Sequence, residues 1–123
     1  IVTSPAATAT TAIFDRRVGP LRELADQAED VARACHAIAA RLHGGGKLIV
    51  FGNGGACTDA QHVAVEFVHP VIVGKRALPS VSLTSDVATL TGIAERYGLD
   101  EVFAHQLKFL AEPGDERAWE TAG

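Results

Sequence analysis

Lys47-Leu48-Ile49-Val50-Phe51-Gly52-Asn53-Gly54-Gly55-Ala56-Cys57-Thr58-Asp59-Ala60-Gln61-His62-Val63-Ala64-Val65-Glu66 is the stretch that decides the fold. Leu48 to Phe51 is a short, continuous apolar run, the pattern of a strand buried on both faces. Gly52-Asn53-Gly54-Gly55 then forms a tight turn, and the residues beyond it read as helix. A strand, a glycine-rich turn and a helix N-terminus together make an anion site. Glycine lets the backbone approach a ligand, the first amide N–H groups point outward, and the helix dipole favours negative charge. His62 and Glu66 share one face of that helix, which sets an imidazole beside a carboxylate. A phosphate cradle with an acid–base pair on its helix predicts chemistry on a phosphorylated small molecule.

Upstream, Leu21, Leu24, Ala28, Val31, Cys35, Ile38 and Leu42 recur at alternating spacings of 3 and 4. That seam predicts one long helix over 21–42, packed lengthwise either on its own sheet or in a bundle of subunits. Asp26, Glu29, Asp30, Arg33 and Arg41 fall off the seam and face water. Gly19-Pro20 marks the helix start and Gly44-Gly45-Gly46 its end. Residues 1–18, rich in Ala and Thr, are expected to form a loose N-terminal arm, or a short helix that needs a partner. The first residue is not Met, so the start is expected to be processed or missing.

Downstream, residues 67–79 carry Pro70, Gly74 and Pro79, too broken for a central strand. Ser80 to Thr84 reads as a second strand. A helix over about 86–96 follows with Ser85 or Asp86 as its N-cap, closed by Gly98, and another helix runs over about 100–110. Alternating strands and helices with short links predict an α/β parallel sheet flanked by helices. Ligands of such sheets sit beyond the carboxyl ends of the strands, where Asn53 and Ser85 both fall. Residues 116–123 show no strand pattern, so the sheet is expected to be incomplete and residues 19–123 to be part of a larger domain.

Composition removes several classes. A hydrophobic content of 47% supports a core and excludes a disordered chain. The net charge of −4 argues against a dedicated nucleic-acid binder. No apolar run is long enough to span a membrane and no secretory leader pattern is present, as expected of a soluble cytoplasmic protein. Cys35 and Cys57 have no metal-site spacing. Cys35 fits the helix seam. Cys57 stands near a helix N-terminus, where thiol pKa values fall, but nothing else points to a nucleophile.

Gly52-Asn53-Gly54-Gly55, then Asp59-Ala60-Gln61-His62 and Glu66, then Leu83-Thr84-Ser85-Asp86 and Tyr97-Gly98-Leu99-Asp100-Glu101-Val102-Phe103, form an ordered set. The set resembles the sugar isomerase (SIS) domains, most closely the phosphoheptose isomerases, over roughly residues 21–115. The resemblance implies the N-terminal half of such a domain and aldose–ketose isomerisation of sedoheptulose 7-phosphate or a related sugar phosphate through an enediol. It implies Glu66 as the catalytic base, aimed by its helix at the loop. Asn53, Gly54, Gly55, Ala56, Ser85 and Asp86 would form the substrate and phosphate site. Some members bind zinc through residues matching His62 and Glu66, so zinc is a possible cofactor. The family's acid histidine and other metal ligands match nothing in this chain. The family's N-terminal helices build a homotetramer, which implies a homo-oligomer through the 21–42 helix.

Each assignment has a plainer alternative. Glu66 could be an exposed helix carboxylate and the His62–Glu66 pair a simple hydrogen bond. Lys75-Arg76 could reach an anion or be a solvated loop. His36, His43, His69 and His105 have no clustered partners and read as surface or bundle residues. The sequence also departs from the family pattern: Ala56 stands for a serine that touches substrate, Pro70 for a basic residue, and Glu95-Arg96 for an Asn-Asp pair. Those departures keep a second reading open, a non-catalytic SIS-like module for sugar-phosphate binding or protein interaction, as in relatives that associate with a replication initiator.

Overall fold

The computed structural model describes residues 4–120, with residues 116–120 described by backbone alone. The chain divides into two compact units, residues 1–37 and 38–123. In the first, α1 spans Pro5–Asp26 and α2 begins at Ala28, continuing to His43 in the second. Ser4 caps α1, its Oγ accepting from the Ala7 N–H at 3.2 Å, and Pro5 opens the helix where a missing N–H costs nothing. Gly19-Pro20 is therefore not a start: α1 runs through Pro20. The segment expected to be an arm is helical from Pro5, its threonines returning hydroxyl bonds to the preceding turn. The single helix expected over 21–42 is broken at Gln27, whose N–H turns back to the Ala25 and Leu24 carbonyls. Neither helix buries a residue, and Ile13, Phe14, Val18, Leu21, Leu24 and Val31 are exposed.

In the second unit, β1 is Leu48–Gly52, α3 Gly55–Val68, β2 Ser80–Ser82, α4 Val87–Tyr97 and α5 Val102–Leu110, with β3 at Glu116–Glu120. A single 3₁₀ turn, Leu99–Glu101, leads into α5. The sheet is parallel in the order β2-β1-β3. The third strand corrects the expectation of none in 116–123. Its polar sequence carries little strand signal, and pairing with the free edge of β1 supplies what propensity does not. The β1→β2 and β2→β3 connections run in opposite directions across the sheet, so right-handed crossovers put α3 on one face and α4–α5 on the other.

The side chains of β1 follow that division with a period of two. Leu48 and Val50 pack on Ala60 and Ala64 of α3, with Leu42 and Phe67 alongside. Phe51 meets Phe103 of α5 with ring centroids 4.9 Å apart. Ile49 and Leu83 are the largest fully buried side chains. Gly45 at φ 93° ends α2, and Gly98 at φ 97° ends α4, both in backbone that favours glycine. Asp86 caps α4, accepting from the Thr89 N–H at 3.1 Å and the Thr89 hydroxyl at 2.6 Å. Those bonds, with the Ala88 amide, hold its carboxyl below the usual range. Of the segment expected to be irregular over 67–79, Phe67 and Val68 instead complete α3, while residues 70–79 are irregular and expose Val71, Ile72 and Val73.

Gly52 is fixed by space. A Cβ there would lie 2.7 Å from the Ala56 Cβ and 2.8 Å from the Ala56 carbonyl oxygen. Gly52→Ala is expected to destabilise by about 1–3 kcal/mol through this backbone clash, read as a lowered denaturation midpoint. An unchanged midpoint would show that the turn can relax.

Candidate functional site

The cradle forms where β1 ends and α3 begins. Gly54, at φ 57° and ψ −124°, turns the chain into the helix. The Ala56 and Cys57 N–H groups are taken by the Asn53 and Gly54 carbonyls, both at 3.1 Å. The open side of the turn is thus made by Gly54 and Gly55, where an added Cβ would meet nothing. Ala56 is buried against Gly52 with its N–H engaged, so it contributes packing rather than a ligand contact. Asn53, Gly54 and Cys57 line a hollow of about 210 Å³ with Thr84, Leu90 and Phe103.

His62 and Glu66 do share a face of α3, with Nε2 and Oε1 3.4 Å apart. With Asp59, Val63 and Phe67 they line a separate hollow of about 280 Å³. Glu66 is 37% exposed at its side chain and His62 72%, so the pair is open to water on this surface. Its position corrects one expectation. Glu66 stands near the C-terminal end of α3, about three turns and about 16 Å of helix axis from Gly55. Within one chain the helix does not aim it at the glycine turn.

Ser85 and Asp86 fall in a third and larger hollow, about 810 Å³, between β2, α4 and α5. Arg96 lines it, lying 5.4 Å from the centroid of the Tyr97 ring. His105, expected to be an isolated surface residue, stacks on Tyr97 at 4.8 Å and meets Phe109 at 5.2 Å. Asp86 is committed to its cap bonds. The structure therefore brings together His62 with Glu66, and Asn53 with Gly54, but holds those pairs and Ser85–Asp86 in three places.

Three site-forming residues escaped the sequence. Ser82 and Thr84 are buried polar groups with their hydroxyls 2.7 Å apart, and Gln61 reaches the Thr84 carbonyl from α3 at 3.4 Å. The Ser82-Leu83-Thr84 alternation running out of β2 was the available signal, since alternate residues of an extended segment share a face.

For a zinc centre, His62 and Glu66 offer suitable donor chemistry but only two ligands. Among the described residues no group of three or more His, Cys, Asp and Glu could hold a metal ion. No helix among them is long and apolar enough to cross a membrane.

A model of the SIS domain matches residues 16–116. The phosphoheptose isomerase of Syntrophotalea carbinolica is 42% identical over 99 residues, covering 80% of this chain and 48% of the relative. That of Thermodesulfovibrio yellowstonii is 49% identical over 78 residues, covering 63% of this chain and 39% of the relative. Among solved structures, the phosphoheptose isomerase from Neisseria gonorrhoeae matches with a TM-score of 0.82 at 31% identity, over 91% of this chain and 58% of that one. The enzyme from Francisella tularensis gives 0.86 at 28% identity, over 94% and 61%. The chain spans about half the length of the curated relatives it matches. With strand, glycine turn and following helix arranged as described, and the domain model covering most of the sequence, the chain belongs to the SIS-domain family.

Proposed function

We propose that the protein containing this chain is a sugar-phosphate isomerase of the phosphoheptose isomerase type, interconverting sedoheptulose 7-phosphate and a heptose 7-phosphate. The similarity to phosphoheptose isomerases over four-fifths of the chain carries this reading. The site chemistry supports it. Isomerising an aldose to a ketose moves one proton between the two carbons that share the carbonyl. Glu66 takes the proton from the carbon beside the carbonyl, the oxygen gains a proton, and an enediol forms. Return of the proton to the neighbouring carbon, with loss of the proton from the enediol's other hydroxyl, forms the new carbonyl. Each proton gained on one atom is thus matched by one lost from its neighbour, and there is no net change in charge or oxidation level. His62, 3.4 Å from Glu66, orients that carboxylate or donates to a sugar oxygen. The helix N-terminus at Asn53-Gly54-Gly55 holds an anionic group through its amides. Zinc, if held by His62 and Glu66 with ligands from elsewhere, would supply Lewis-acid polarisation of the carbonyl.

The cytoplasm is the proposed compartment, and a homo-oligomer, a tetramer by the resemblance, the proposed assembly. The exposed apolar side chains of α1 and α2 support an oligomer, since unpartnered seams of this kind mark interfaces. The separation of the cradle from Glu66 supports it independently. A site that joins the cradle of one copy to Glu66 of another uses both without stretching the substrate along α3. Mixing two inactive full-length variants, one altered at Asn53 and one at Glu66, is expected to restore activity well above either alone. Activity in each pure variant's background that stays at baseline on mixing would place both groups in one chain's site. A full-length protein that binds sugar phosphate without turnover would favour the non-catalytic module instead.

A further inference from the structure

The buried polar groups at the exit of β2 are connected in a direction that can be worked out. The Thr84 hydroxyl and the Cys57 carbonyl oxygen are 3.5 Å apart, and a carbonyl can only accept, so Thr84 spends its one proton there. The Ser82 hydroxyl, 2.7 Å from Thr84 Oγ1, is then the donor in that pair. Ser82 Oγ in turn accepts the Thr84 N–H at 3.4 Å. The relay runs from the Thr84 N–H to the Ser82 hydroxyl, from there to the Thr84 hydroxyl, and ends on the Cys57 carbonyl as acceptor. It ends on the first turn of α3, at Cys57, two residues from Gly55 and three from Gly54.

Two further side chains fix the same point. Gln61 of α3 donates to the Thr84 carbonyl at 3.4 Å, and Gln106 of α5 donates to the Leu83 carbonyl at 3.2 Å. The exit of β2 is thus tied to the helices on both faces of the sheet. Ser82, Thr84 and Gln106 are all buried, where an unmade hydrogen bond is costly. Thr84 lines the hollow beside Asn53, Gly54 and Cys57, with its hydroxyl engaged by the Cys57 carbonyl.

We infer that Thr84, relayed from Ser82 and backed by Gln61, is a positioning residue that sets the first turn of α3 and so the aim of the cradle amides. Its hydroxyl acts through Cys57, not on a ligand. The effect on ligand affinity rests on the sugar-phosphate reading above; the effect on the backbone does not.

Thr84→Val in the full-length protein removes the hydroxyl at nearly constant shape, and Thr84→Ser restores it. Hydrogen exchange is expected to speed up at least about tenfold at the amides of 56–60 in Thr84→Val, with protection elsewhere in the sheet unchanged and Thr84→Ser close to the parent. Equal protection at 56–60 in all three proteins would overturn the inference. Should Thr84→Val fail to fold, Thr84→Ala also removes the donor to the Cys57 carbonyl and gives the same comparison. In parallel, the Michaelis constant for sedoheptulose 7-phosphate is expected to rise about tenfold in Thr84→Val, with turnover at saturation changed far less. A parent protein that neither binds nor turns over that sugar phosphate would sink the functional reading, while the exchange data would still decide the positioning role.

Discussion

Glu66→Gln in the full-length protein is expected to lower kcat by about 10²–10⁴-fold, the usual contribution of a positioned general base. Glutamine keeps the size and one carbonyl oxygen, so the Michaelis constant should stay within a few-fold. Stability should not move, because Glu66 is partly exposed and its ion-pair contact among the described residues is with the exposed His62. Exposed pairs of this kind contribute little, about 0–1 kcal/mol. The contrast between lost turnover and intact folding makes the variant informative. Steady-state kinetics and a thermal melt on the same preparation give both readings. Turnover equal to that of the parent would remove Glu66 from the chemistry and with it the assignment of the base.

Asp115→Ala is expected to do the opposite, leaving the site chemistry alone and weakening the fold. Asp115 is 2% exposed at its side chain. Its Oδ1 accepts the Lys47 N–H at 3.0 Å and its Oδ2 the Glu112 N–H at 2.8 Å, while the Lys47 ammonium lies 2.8 Å from Oδ2. One carboxylate therefore satisfies the entrance to β1 and the turn that leads into β3. Its removal strands two amides and leaves the Lys47 ammonium with Glu112 alone, at a cost of about 3 kcal/mol. A fall in Tm of about 5–10 °C is expected, and a change of less than about 1 °C would mean that water replaces the carboxylate freely.

The same group sets a pH dependence. Burial pushes the Asp115 carboxyl up, but the Lys47 ammonium and the amides of Glu112 and Lys47 outweigh it and bring it down to about 2 from an ordinary 3.8. A carboxyl lowered by folding stabilises the fold fully above its ordinary value, and that contribution drains away as pH falls from about 4 towards about 2. The bond to Asp115 raises Lys47 above its ordinary 10.5, so its half of the pair is lost only in strong alkali. Asp115→Asn should flatten the acid limb of the stability curve and also remove the part of the alkaline limb that Lys47 owes to this bond.

Most of the second unit could be read from the chain because local signals agreed with the final packing. Leu48 to Phe51 were apolar on both faces, and the structure uses both, one towards Ala60 and Ala64 and one towards Phe103. Gly98 and Asp86 ended and capped α4 as their chemistry requires. The failures have equally specific causes. Gly19-Pro20 looked like a helix start, yet Ser4-Pro5 carried the same signal with a better cap, and a helix already running can pass through a proline by bending. The strand at 116–120 depends on the edge of β1, which lies far away in sequence and writes nothing into the local pattern. His62 and Glu66 were correctly paired by spacing, whereas their distance from the cradle follows from the length of α3. The heptad seam was legible as a seam but not its interruption at Gln27, since one displaced residue leaves the apolar spacing intact.

The order of strands in the sheet has a consequence for synthesis. β1 lies in the middle, but its two neighbours are made at different times. β2 follows it closely, while β3 is not complete until residue 120. At about 5–20 residues per second, the growing chain carries β1 with one edge unpaired for roughly 2–8 s after β2 has been made. That edge belongs to the most apolar strand of the chain, and an open apolar edge is a template for pairing with other nascent chains. The interval between Ser82 and Glu120 is therefore the window in which a ribosome-associated chaperone would matter most for this protein.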